Sequence, residues 1–508
     1  MKNQVQLITY ADRLAGHFPG LADLLAGPLA QAIGGVHVLP FFDPIDGADA
    51  GFDPSDHTAV DPRLGTWDDV RALGERVELM ADLIVNHVSD ASPQFQDFLR
   101  RGDASPYAGM FLTLGSVFPG GATEADLLRI YRPRPGLPLT GVTLEGGEKR
   151  LLWTTFTPQQ VDIDVQHPEG QAYLSAILQR FQQAGVRVIR LDAAGYAIKK
   201  AGTSCFMIPE TFDFIARLSE QARGMGMEVL VEIHSYYQTQ IEIARKVDRV
   251  YDFALPPLVL HALFQADAAP LAHWLSISPR NAVTVLDTHD GIGVIDVGAD
   301  AATGRPGLLE PDAIDALVET IHARSGGQSR QATGAAASNL DLYQVNCTYY
   351  DALGRDDEAY LAARAIQFFA PGVPQVYYVG LLGGVNDMDL LERTHVGRDI
   401  NRHHYAAGEV QACLRTPLVR RLLELAAWRN THPAFAGDFA VLPAAPGHLS
   451  LAWTHGAAHA RLDVDLAARR AVITQQGGAD GRPARWAVSG AGPAPAPARA
   501  EPVALDAR

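Results

Sequence analysis

The chain has 508 residues, 47% of them hydrophobic and 20% charged, the balance of a packed soluble enzyme with a large catalytic domain and at least one accessory domain. Its formal net charge of −16 argues against a nucleic-acid partner, whose phosphate backbone needs a basic face, and requires that any anionic substrate be met by a few well-placed arginines. Three widely spaced cysteines, Cys205, Cys347 and Cys413, argue against a disulfide framework or a metal site and fit a reducing cytoplasm; the terminus MKNQVQLITYADR shows no secretory signal, and the apolar stretch from Phe368 to Val385 is broken by Pro371 and Pro374, so no membrane span is expected.

Short apolar runs alternate with segments of helical periodicity, the pattern of βα units around a parallel sheet. In chain order the predicted strands are Val5–Tyr10, Val36–Phe42, Ala81–Val85, Val186–Asp192, Glu228–His234, Val250–Leu255, Ala282–Leu286 and Val376–Val379, with helices such as Leu21–Ile33, Gln171–Ala184 and Glu358–Phe369 between them. Eight such strands place the chain in the α/β class as a closed (β/α)8 TIM barrel. A doubly wound open sheet is disfavoured, because no glycine-rich phosphate fingerprint follows the first strand.

Two stretches exceed an ordinary βα loop. Residues 88–165, punctuated by YRPRPGLPLTG, read as a domain inserted after the third strand, and residues 292–354 as a second inserted subdomain. The barrel is thereby divided into residues 1–87, 166–291 and 355–436. Residues 437–508 alternate as a C-terminal β domain, with the tail GAGPAPAPARAEP expected to be disordered.

In a barrel of this kind the loops after the strands build the active face. Polar residues gather there: Asn86 and His87, Arg190 and Asp192, Glu232 and His234, Asp287, His289 and Asp290. Arg190 and Asp192 alternate along one strand, so both side chains leave on the same side and the guanidinium favours the ionised carboxylate, the form that attacks a sugar carbon. A structural ion pair fits that strand equally well. Glu232 sits in an apolar run, EVLVEIHS, where a carboxyl is costly unless paired or protonated; a general acid and a buried glutamate paired with Arg190 both satisfy this. Asp290 precedes a glycine and, alone, reads as a turn residue. Together the three supply a nucleophile, an acid/base and a group that holds sugar hydroxyls in a retaining glycosyl transfer.

These segments resemble, in order, the short conserved regions of the α-amylase clan of glycoside hydrolases and transglycosidases: DLIVNH ending at His87, RLDA from Arg190, Glu232, the pair His289-Asp290, and QVDID from Gln160 at the end of the first insertion. The chain departs from starch-acting members in having Gly195-Tyr196 where they often carry Lys-His, and Thr288 where Asn is common. Longer segments, among them ADAGFDPSDHT, AGTSCF, LDTHDGIGVID, ASNLDLYQVN and GRDINRH, are similar to sucrose phosphorylases up to about Asn430. The resemblance implies Asp192 as nucleophile, Glu232 as acid/base and Asp290 as transition-state stabiliser, acting on sucrose and inorganic phosphate to give α-D-glucose 1-phosphate and D-fructose. A sister phosphorylase acting on sucrose 6′-phosphate, glucosylglycerol or glucosylglycerate, and a sucrose hydrolase or transglucosidase, would share the same carboxylates.

The same resemblance implies that Asp49, His87, His289 and Arg398 grip the glucosyl hydroxyls, with Phe52 and Phe156 on its apolar face. It gives Tyr196, His234, Leu340, Asp341, Tyr343 and Gln344 the acceptor side, and Arg134, on its Pro-stiffened loop, the phosphate. It implies no cofactor and no metal, although Asn86 corresponds to a position that binds calcium in some amylases. It is compatible with a homodimer.

Overall fold

The computed structural model describes residues 1–490 apart from 48, 135, 301–302, 334–343 and 479–482. Eight parallel strands close into a barrel: β1 Gln6–Thr9, β2 Gly35–Val38, β3 Glu78–Ile84, β4 Val188–Asp192, β5 Glu228–Val231, β6 Arg249–Asp252, β7 Ala282–Thr284 and β8 Val373–Tyr377. Each pairs with its neighbours in chain order, and β1 with β8 completes the ring, Leu7 standing opposite Val376 on one side and Val36 on the other. The chain is thus the (β/α)8 barrel expected from its eight apolar runs.

Alternation along the strands explains where the chemistry lies. Met80, Val188, Leu230, Tyr251 and Val283 fill the barrel interior as one apolar layer. Two residues further along β3 and β4, and just past the end of β5, the same inward-facing rows carry Asp82, Arg190 and Glu232. The row below is therefore largely apolar, with Gln375 taking the Tyr251 hydroxyl at 3.2 Å, and the mouth is charged. Register fixes the first contact, with Arg190 on β4 directly opposite Asp82 on β3.

Several boundaries differ from the sequence reading. The predicted helix Leu21–Ile33 forms over Phe18–Ala26 and stops at Gly27-Pro28, because proline lacks the N–H that the next turn requires. β5 ends at Val231, short of Glu232 and His234, and β7 ends at Thr284. The apolar run continues past both, since the mouth is also buried, but ladder pairing stops where the chain turns. The last strand lies earlier than expected, over Val373–Tyr377, and the rest of that run forms a helical turn, Tyr378–Leu381. A fully buried run does not reveal its own periodicity.

The chain leaves the barrel after β3 through the strand His87–Ser89 and returns through Gln160–Asp162, paired antiparallel with His87 opposite Asp162. A second excursion after β7 begins and ends in the antiparallel pair Ile292–Gly293 and Gln344–Val345. Five antiparallel strands follow the barrel: β9 Asp438–Leu442, β10 His448–His455, β11 Ala458–Asp465, β12 Arg470–Gln476 and β13 Ala484–Ala487. Side chains along the first half of β11 alternate between buried and exposed, and the sheet rests on the helix Asp357–Phe369, where Trp453 Nε1 donates to the Phe369 carbonyl at 2.8 Å. That helix is buried over nearly its whole length, between barrel and sheet. The proline-rich tail predicted to be disordered lies outside the described residues. Among those described, no helix is long and apolar enough to cross a membrane.

Candidate active site

One guanidinium organises the mouth of the barrel. Arg190, 2% exposed, donates from Nη1 to Asp82 and to Asp192 Oδ1 at 2.9 Å, while its Nη2 lies 2.7 Å from Glu232 Oε1. His37 Nε2 holds the other oxygen of Asp82 at 2.8 Å. Against the cost of burial, His37 and Arg190 bring Asp82 down to about 2, so it is a fixed anion beneath the site.

The expectation that Arg190 would lower the Asp192 pKa is only partly met. Burial and the neighbouring Glu232 carboxylate push Asp192 well above the usual carboxylate range, and the pull of Arg190 does not offset them. The reason is that Arg190 divides its single charge among three carboxylates. In the empty site Asp192 therefore holds a proton more readily than an exposed aspartate does.

Backbone geometry sharpens this arrangement. Ala193, directly after Asp192, takes a left-handed conformation with φ of 54°, which turns the strand into the short helix Ala194–Tyr196. Its N–H points at Glu232 Oε2, 3.3 Å away. At Gly195 a Cβ would stand 2.7 Å from the Phe206 ring, so this position, where starch-acting members of the clan often carry lysine, needs glycine to admit the aromatic. Phe206 in turn stacks on Tyr131 at 4.3 Å and packs on Tyr196 at 4.6 Å.

Asp290 is served separately. Arg398 Nη1 lies 2.5 Å from its Oδ1, with Arg402 Nη2 at 3.9 Å and His289 Nε2 3.8 Å from Oδ2. Against burial, Arg398 and Arg402 hold Asp290 well below the usual carboxylate range. Burial is likewise outweighed at Asp49, where Arg398, Arg402 and Arg134 lower the carboxyl. Burial pushes the His289 imidazole down to about 3 and the His87 imidazole in the same direction, so both enter as neutral rings. Phe52 stacks on His289 at 5.0 Å, and its carbonyl accepts from His87 Nε2 at 3.0 Å. Phe156 meets His87 at 5.6 Å and Tyr196 at 5.1 Å, both edge-on.

A single pocket is thereby lined by Asp49, Phe52, His87, Arg134, Phe156, Asp192, Tyr196, Glu232, His234, His289, Asp290, Gln344 and Arg398. Arg190 lies beneath it. Leu340, Asp341 and Tyr343 fall outside the described residues. Asp287, singled out with the strand-end polar residues, turns away from the pocket: its Oδ2 accepts from Arg364 Nη2 at 2.6 Å, on the helix behind the strand. The sequence reading missed Tyr131, Gln160 and Phe206, which also line the pocket, although YRPRPGLP and AGTSCF carried two of them. It also missed Arg402, in GRDINRH, whose Nε donates to the His289 carbonyl at 2.9 Å.

The wall on the His87 side is set by a lysine. Lys199 Nζ, on a side chain only 1% exposed, lies 2.6 Å from both Asn86 Oδ1 and Asp162 Oδ2 and also donates to the Tyr196 carbonyl. Oxygens of the kind that bind a hard cation here surround an ammonium group. Removing one partner of a buried ion pair strands the other, at a cost of about 3–5 kcal/mol. Lys199→Met is therefore expected to lower the denaturation midpoint clearly and to weaken turnover, since Asn86, Tyr196 and the strand bearing Asp162 lose their common anchor. An unchanged midpoint in a chemical denaturation series would refute this anchoring role.

The chain is similar to known proteins along most of its length. The α-amylase catalytic-domain family matches residues 16–244. A sucrose phosphorylase of Agrobacterium vitis is 67% identical over 478 residues, covering 94% of this chain and 98% of its own. A sucrose phosphorylase of Bifidobacterium adolescentis is 57% identical over 455 residues, covering 89% of this chain and 90% of its own. Among solved structures, a sucrose 6F-phosphate phosphorylase from Thermoanaerobacter thermosaccharolyticum superposes with a TM-score of 0.88 at 38% identity, covering 96% and 98% of the two chains.

Proposed function

Since the chain belongs to the sucrose phosphorylase family and carries an α-amylase catalytic domain, we propose that it catalyses the reversible phosphorolysis of sucrose to α-D-glucose 1-phosphate and D-fructose, with retention at the glucosyl carbon. The observation that carries this reading is the pairing of Asp192 and Glu232 on the two terminal nitrogens of Arg190. Two carboxyls held on one guanidinium supply the nucleophile and the acid/base that a double displacement requires.

The bound substrate gives the two groups their roles. When the glucosyl unit enters, its glycosidic oxygen is an acceptor beside Glu232 and its C1 is an electrophile beside Asp192. The proton therefore belongs on Glu232, which delivers it to the departing fructosyl oxygen as Asp192 Oδ attacks C1. The bond from C1 to fructose breaks, a covalent β-glucosyl ester forms, and fructose leaves. A phosphate oxygen then displaces Asp192 from C1 with a second inversion, and Glu232 takes up the proton released. Asp290, kept anionic by Arg398 and Arg402, gains most when positive charge develops on the ring. Arg134, in the wall of the same pocket, supplies a planar donor pair of the kind that suits phosphate, reversing locally the sign of an acidic protein.

Incubation of the protein with sucrose, with and without inorganic phosphate, tests the proposal. Glucose 1-phosphate and fructose are expected in equal amounts only when phosphate is present. Free glucose at the same rate regardless of phosphate would make the protein a hydrolase, and untouched sucrose would move the assignment to a phosphorylated or glycerol-based glucoside.

A further inference from the structure

Behind the acceptor side of the pocket lies a carboxylate that does not line it. Asp296, fully buried in the short helix Ile295–Val297, takes His234 Nδ1 on Oδ2 at 3.0 Å and, on Oδ1, the Ser235 N–H at 3.1 Å and Gln240 Nε2 at 2.6 Å. These contacts fix both carboxylate oxygens. The His234 ring is clamped as well, with Phe253 stacked on it at 3.8 Å and 13°. Gly293 closes the pair from another side: a Cβ there would stand 3.0 Å from Asp296 Oδ2 and 3.6 Å from the imidazole. Both side chains are thus held on more than one side.

A carboxylate accepts but does not donate, so the nitrogen facing it must carry the proton. His234 borders the pocket, and with Nδ1 committed its remaining polar atom is Nε2. We propose that Asp296 is a positioning residue that holds His234 as an imidazolium, giving the acceptor pocket a second cationic donor for phosphate besides Arg134. The inference rests on the phosphorolysis reading above. Burial alone would lower the His234 pKa, but Asp296, and behind it Glu232 and Asp290, the acidic groups that face the ring, raise it instead. A neutral leaving group such as fructose gains little from that charge, whereas an entering phosphate dianion gains a charge-assisted hydrogen bond.

The test is Asp296→Asn in the full chain, which keeps the shape and removes the charge. The Michaelis constant for phosphate is expected to rise about tenfold while that for sucrose moves less than about twofold. Equal rises in both constants would mark Asp296 as merely structural, and no rise in either would also overturn the inference. Should the variant not fold, the wild-type protein labelled with 15N-histidine decides the matter, its His234 resonances assigned by comparison with His234→Gln. Both ring nitrogens are expected to be protonated at neutral pH, and a neutral ring would refute the role. If the wild type forms no glucose 1-phosphate, the phosphorolysis reading fails, while the charge state of His234 still settles what Asp296 does.

Discussion

Replacing Asp192 by asparagine or alanine is expected to lower the rate of glucose 1-phosphate formation from sucrose by at least about 10⁴-fold, because the covalent ester has no other oxygen to form on. Arg190 would still hold Glu232, so the acid remains but has nothing to act with. Initial rates of fructose and glucose 1-phosphate release measure the loss. Mass spectrometry of the protein quenched with sucrose provides the independent readout, a glucosyl adduct being expected for wild type and absent for the variants. A near-normal rate would remove Asp192 from the mechanism.

The same substitution carries a second expectation of opposite sign. Burial and Glu232 raise the Asp192 pKa in the folded protein, so the folded state binds the proton more tightly than the unfolded chain. An acid of that kind costs stability once the pH exceeds its unfolded pKa, and the cost grows up to the folded value. Asp192→Asn removes it. The variant is therefore expected to melt at or above the wild-type temperature at neutral pH while being inactive, the signature of a group kept for chemistry and not for folding.

What the sequence disclosed follows from what kind of residue carries each feature. The barrel was legible because its strands are apolar runs separated by turn chemistry, and the carboxylates were legible because Asp192, Glu232 and Asp290 interrupt or end such runs, where charge is conspicuous. The supporting partners were not. Asp82 reaches Arg190 across 108 positions and Asp296 reaches His234 across 62, and neither spacing has a local pattern. Asp287 shows the opposite failure. It has the same strand-end setting as Asp290, yet it turns to Arg364 on the helix behind, because nothing in a strand fixes the direction of a side chain once the ladder has ended. Aromatic walls such as Tyr131 on Phe206 depend on two loops meeting, which composition cannot show.

Glu232→Gln is expected to separate the acid from its structural alternative. With sucrose, whose fructosyl oxygen leaves poorly without a proton, turnover should fall by about 10²–10⁴-fold. α-Glucosyl fluoride leaves as fluoride and needs little help, so with azide, an anionic acceptor that has no proton to lose, the variant should recover most of the wild-type rate on that donor and acceptor. A glutamine keeps the size of the side chain and leaves an amide oxygen to accept from Arg190, so collapse of the charged cluster would strike both donors alike. Equal losses on sucrose and on the fluoride would therefore make Glu232 a structural partner of Arg190. A loss confined to sucrose would place the proton delivered at bond breaking on Glu232, and so fix the division of labour between two carboxyls that one guanidinium holds as a pair.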